Sequence, residues 1–136
     1  MSDYLSLKKY FIQELNIKAP IPNHIGGTLT GELSTDLSFG KQKETDNIFM
    51  VTLKFSATHK EVPDYTINAT ITGIFQIGPK CTNEEMRDQL LSNGAASTLY
   101  GILREIIRSA TAQTLYPPMI IPIIHFEGAK ISFADE

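Results

Sequence analysis

Residues 48–59 read IFMVTLKFSATH. Every second residue is apolar. Phe49, Val51, Leu53, Phe55 and Ala57 fall on one side of an extended chain, and Thr52, Lys54, Ser56 and Thr58 on the other. Successive side chains of a strand point to opposite faces, so this alternation predicts a strand with one face buried and one face wet. The pattern recurs on both sides of it. Residues 28–39 (TLTGELSTDLSF) set Leu29, Leu33, Leu37 and Phe39 against Thr30, Glu32, Ser34, Asp36 and Ser38. Residues 64–77 set Tyr65, Ile67, Ala69, Ile71, Phe75 and Ile77 against Thr66, Asn68, Thr70, Thr72 and Gln76. Residues 8–19 (KKYFIQELNIKA) carry Phe11, Leu15 and Ile17 at even spacing and stop at Pro20 and Pro22.

The joins between these runs are polar. Residues 40–47 (GKQKETDN) and 60–64 (KEVPD) are short enough for hairpins, so the second, third and fourth strands form an antiparallel meander. Residues 20–27 (PIPNHIGG) leave two routes open from the first strand, a hairpin or a crossover.

An apolar sheet face needs a cover. Residues 83–91 (NEEMRDQLL) predict a short helix capped by Thr82 or Asn83, with Glu84 and Glu85 in the first turn, where the helix dipole favours acids. Asn93-Gly94 is the expected stop. Residues 97–113 (STLYGILREIIRSATAQ) then place Leu99, Ile102, Leu103, Ile106, Ile107 and Ala110 at helical spacing, with Arg104, Glu105 and Arg108 off that stripe. The expected fold is α+β: a four-stranded antiparallel sheet, a short helix and one long helix, in a single domain over residues 1–136.

Composition narrows the function. The chain is 42% hydrophobic and 20% charged, which suits a packed core. A net charge of −3, and only the short tract KQKE at 41–44, argue against a nucleic-acid surface. The one cysteine, Cys81, rules out an intrachain disulfide and fits a reducing cytoplasm. The first residues, MSDYLSLKKYF, lack the apolar core of a signal peptide, and no run reaches the ~20 apolar residues of a membrane helix. The expected setting is cytoplasmic.

Catalytic chemistry is hard to assemble from what remains. His24, His59 and His125 have no metal-ligand spacing. Glu84 and Glu85 are adjacent and point apart on a helix. No helix follows Gly26-Gly27, so it is no phosphate loop. Cys81 precedes a helix, where a thiol pKa can fall, but it stands alone. The expectation is no enzyme, no metal and no cofactor.

Apolar surface is what is left. Residues 114–128 read TLYPPMIIPIIHFEG, an oily run with three prolines. Proline fixes φ and cannot join a ladder, so the run reads as an extended strip without strand pairing. One side of such a strip can face the core and the other a ligand.

Several local motifs fall in the order of one known family. The first strand ends NIKAPIPNH, the fourth ends GIFQI, the long helix holds LREII, and the strip reads YPPMIIPIIHFEG. Together they resemble the SecB export-chaperone family over residues 8–128. The resemblance implies a homotetramer, a dimer of dimers with the long helices at the inter-dimer interface. It also implies an ATP-independent holdase that binds unfolded or precursor polypeptides in long hydrophobic grooves. By this match the groove residues are Tyr116, Met119, Ile121, Ile123 and Phe126. The oligomer interface is expected at Leu103, Arg104, Ile106, Ile107 and Ala110, with Glu105 beside it.

Three positions depart from the family pattern. Acids on the outer sheet face dock the export motor ATPase in that family, and Glu14 fits one of them, but Lys18, Thr66 and Asn68 stand where acids are usual. That counts against motor docking here. The family's further helix after the aromatic-acid pair is short or absent, because the chain reads AKISFADE after Gly128. Gly101 replaces a proline common early in the family's long helix. Two other readings stay open: an oligomeric adaptor or antitoxin-guarding chaperone with one dedicated partner, and a carrier of small apolar ligands.

Overall fold

Four strands and one long helix make up the structure, a computed structural model that describes residues 4–19, 31–41, 47–59 and 65–114. The strands are β1 (Leu5–Lys18), β2 (Gly31–Lys41), β3 (Ile48–His59) and β4 (Thr66–Ile77). They form one antiparallel sheet in the order β1-β4-β3-β2. The meander of β2, β3 and β4 is as expected. β1 pairs with β4, so the link from β1 to β2 runs between opposite edges of the sheet and the crossover alternative holds.

The inner face is the one read from the sequence. Phe49, Val51, Leu53, Phe55 and Ala57 of β3 are buried, as are Ile67, Ala69, Ile71, Phe75 and Ile77 of β4 and Tyr65 just before it. The helix covers them with Leu99, Tyr100, Leu103 and Ile107. Each Val, Leu, Ile or Phe side chain among them contributes roughly 1.5–3 kcal/mol on leaving water, which is why the pattern is kept on both layers.

β1 departs from the expected register. Its pairing with β4 shifts between Leu7 and Lys9 and again between Ile12 and Glu14. An extra residue in a strand turns every later side chain to the other face. Even spacing grouped Phe11 with Leu15 and Ile17. The shift at Gln13 separates them: Phe11 pairs with Thr72 on the outer face, whereas Leu15 and Ile17 pair with Ala69 and Ile67 of the inner face. Gln13 also accepts a hydrogen bond from Thr72 Oγ1 at 2.6 Å, and Thr72 Oγ1 lies 2.9 Å from Thr52 Oγ1. Thr72 is thereby buried on a face that is otherwise wet.

The expected stop at Asn93-Gly94 is not there. Helix α1 (Glu84–Gln89) runs through a π-turn (Leu90–Ala95) into α2 (Ala96–Thr111) as one joined helix. Asn83 is the cap: its side chain accepts from Met86 N–H at 2.7 Å. The π-turn has a physical reason. Leu91 and Ile107 are both fully buried. At about 100° per residue an unbroken α-helix would set them ~160° apart. One extra residue in a widened turn brings Leu91 round to the core face. Gly94 suits that place, since a Cβ there would lie 3.2 Å from Leu5 Cδ2.

Gly73 sets the distance between the layers. A Cβ on it would lie 2.7 Å from Phe75 Cε2 and 2.8 Å from Leu99 Cδ2. Gly73→Val therefore overpacks the sheet–helix contact and lowers stability by about 1–3 kcal/mol, read from the urea midpoint. An unchanged midpoint would mean that α2 moves off the sheet without loss.

Candidate binding surface

Helix α2 crosses the middle of the inner face, over β3 and β4. The apolar face extends past it on both sides. Toward the β2 edge, Leu33 and Leu37 are half-buried. Toward the β1 edge, Tyr10 and Leu15 are 45% and 41% exposed, on the face shared with Gly73 and Ala69. Two apolar margins thus flank one helix. Such margins suit extended apolar chain of varied sequence, because burial of apolar area is non-directional.

The five expected groove residues, Tyr116, Met119, Ile121, Ile123 and Phe126, lie outside the described residues. The chain leads into them from a well-bonded helix end. Ala112 N–H donates to Arg108 O at 3.1 Å and Thr114 Oγ1 donates to Thr111 O at 2.7 Å.

The expected oligomer-interface residues do not share one face of α2. Leu103 and Ile107 are fully buried against the chain's own sheet. Ile106 and Ala110 are half-buried, and with Ile102 they make up one flank of the helix at ~100° per residue. Arg104 falls on the opposite flank. Glu105 is exposed and accepts hydrogen bonds from the Arg108 guanidinium one turn on. Arg108 holds the Glu105 carboxyl below the usual carboxylate range. At an exposed site such a pair adds little to stability.

The outer face carries rows of pairing residues rather than a stripe. One row is Glu14, Thr70, Lys54 and Asp36. The next is Asn16, Asn68, Ser56 and Ser34, in which the two serine hydroxyls are 2.7 Å apart. All of these residues but Asn16 line a shallow concavity of about 270 Å³. Lys18 and Thr66 pair beyond it. The two acids of this concavity, Glu14 and Asp36, flank a lysine, so the outer face is mixed in charge rather than acidic.

Nothing in the described residues assembles a catalytic centre. No group of three His, Cys, Asp or Glu side chains is placed to hold a metal ion among them. Cys81 is a half-buried free thiol whose Sγ lies 3.7 Å from Asn83 O. No helix among the described residues is long and apolar enough to cross a membrane.

Sheet, helix and apolar margins together define a binding module built on surface burial. The chain belongs to the SecB family: the model of the preprotein translocase subunit SecB matches residues 2–129. This is a family of chaperones, not of enzymes. The protein-export protein SecB of Dichelobacter nodosus is 26% identical over 91% of this chain and 82% of its own. That of Psychrobacter arcticus is 23% identical over 92% of this chain and 84% of its own. Among solved structures, the SecB-like chaperone of Mycobacterium tuberculosis, in complex with a ChAD peptide from the HigA1 antitoxin, superposes with a TM-score of 0.67. It is 16% identical and covers 89% of this chain and 88% of its own.

Two features were not read from the sequence. The bulges of β1 have no signal in apolar spacing, although the misfit of Phe11 with Leu15 would have shown once the partner strand was known. The π-turn had a signal: a spacing of sixteen between Leu91 and Ile107 does not fit one uninterrupted helix face.

Proposed function

We propose that this chain is an ATP-independent holdase that captures non-native polypeptides on its apolar inner face, working in the cytoplasm as a homo-oligomer of units spanning residues 1–136. The observation that carries the reading is the pair of apolar margins beside α2, Tyr10 and Leu15 on one side and Leu33 and Leu37 on the other, in a chain of the SecB family. Tyr116, Met119, Ile121, Ile123 and Phe126 extend that surface as a proline-stiffened wall. Proline lowers the entropy lost when such a wall is ordered. Several margins in one oligomer let a long client engage more than one at a time, which raises avidity without new contacts.

The test is binding of chemically unfolded proteins of unrelated sequence. A holdase binds them broadly and tolerates salt. A dedicated adaptor shows one saturable partner at fixed stoichiometry, and an apolar-ligand carrier loses binding to fatty acid or dye.

Assembly is proposed to use the α2 flank of Ile102, Ile106 and Ala110, with Arg104 on the other side of the helix. Ile106→Arg is expected to lower the oligomer mass seen in size-exclusion chromatography with light scattering. Unchanged mass would take this flank out of the interface. The mixed charge of the outer face, with Lys18, Thr66 and Asn68 in place of acids, favours a pathway other than delivery to the export motor ATPase. A dedicated client, such as an antitoxin, is the second reading that this observation supports.

A further inference from the structure

We infer that α1 is a movable cover over one end of the core, hinged at the π-turn, and that its opening admits client to that end of the inner face. The inference rests on the holdase reading above. α1 buries none of its own residues. The π-turn beside it buries Leu91, Ser92 and Ala95, and α2 buries six residues. The joined helix therefore changes at the π-turn from a stretch with fully buried side chains to one whose side chains are at most half-buried. Segments without buried side chains open at the least cost, and π-turns are where helices bend. The Asn83 cap satisfies the first turn of α1 locally, so the segment can move as a unit.

What α1 covers is aromatic. The Arg87 guanidinium lies over the Phe49 ring, 5.5 Å from its centroid. Phe49 is fully buried and pairs with Phe75, which in turn pairs with Leu7 of β1. Lifting α1 uncovers Phe49 at the end of an apolar row that leads to the β1 margin. Leu91 stays in the core, because it belongs to the π-turn and not to α1. Apparent client affinity is then the intrinsic affinity reduced by the open fraction.

Two variants move that fraction in opposite directions. Arg87→Ala takes the guanidinium off Phe49 and raises the open fraction. Deleting Gly94 removes the extra residue of the π-turn. In the unbroken α-helix that results, Leu91 lies ~60° from Ile107, still on the core face. The hinge is gone and α1 stays down.

The experiment combines hydrogen exchange of the free protein with the affinity for reduced, carboxymethylated α-lactalbumin, a permanently unfolded probe. In the wild type, amides of α1 exchange faster than those of α2, and deletion of Gly94 slows them. Arg87→Ala tightens probe binding by about threefold or more, and the deletion weakens it by a similar factor. A merely structural role for α1 predicts that both variants weaken binding or leave it alone, and either outcome overturns the inference. So do α1 amides as protected as those of α2. If the deletion variant does not fold, Arg87→Ala, which alters a half-buried side chain and no fully buried one, still decides. A wild type that binds no probe removes the holdase reading and the client step with it, while exchange alone still reports whether the hinge exists.

Discussion

Replacing Met119 and Ile121 together by aspartate abolishes capture of unfolded polypeptide and leaves the fold intact. Both residues belong to the strip that follows α2 in the sequence. Each substitution forfeits roughly 1.5–3 kcal/mol of apolar burial against a client, and each sets an unpaired carboxylate where the client's apolar side chains arrive. Together they weaken binding by at least about a hundredfold, since each ~1.4 kcal/mol is a factor of ten. Fluorescence anisotropy of a labelled unfolded protein reads the loss, and far-ultraviolet circular dichroism checks the fold. Normal binding by a folded double variant would take the strip out of the site.

The second large effect separates the two sides of α2. Leu103 is fully buried between helix and sheet, beside Leu99 and Ile107. Leu103→Ala leaves a cavity there and costs about 2–5 kcal/mol. That is a large share of the 5–15 kcal/mol typical of a domain, so the urea midpoint falls sharply. Ile106 is half-buried on the flank of the same helix. Ile106→Ala costs the protomer less, and its larger effect is expected on assembly. Both are measured at one protomer concentration, because assembly itself stabilises. Equal losses at the two positions would contradict the division of the helix into a sheet-facing stripe and an outward flank.

The strands of this fold were legible because each alternates between a dry face and a wet one. Residues 48–59 alone gave the inner face of β3 without error: all five of its predicted apolar positions are buried. β1 was harder for a physical reason. It lies at the sheet edge, where partial exposure weakens the contrast between faces, and its bulges change the phase twice. Local composition misled at Asn93-Gly94. These residues favour helix ends, but here packing decides: Leu91 and Ile107 must both reach the core, and a widened turn satisfies both. Of the proposed site, only the strip has a signal in the sequence. The strip stands out by its prolines and apolar content. The margins beside α2 follow from which strands the helix crosses, and no local pattern encodes that.

The mixed outer face also bears on function. A surface that docks a basic partner gains from a patch of one sign. Here Lys54 pairs with Asp36 of β2 and lies one strand away from Glu14, across Thr70 of β4, and Lys18 lies further along β1. The described residues keep the four-stranded sheet and its covering helix, and the mixed outer face fits the proposed reading of a chaperone whose clients reach a different destination.

The most direct test is light scattering of a chemically unfolded, unrelated protein diluted into buffer with and without this chain, in the absence of ATP. The account predicts that aggregation is suppressed at a near-stoichiometric ratio of oligomer to client. Undiminished aggregation, in the presence of a chain shown to be folded and oligomeric, would contradict it.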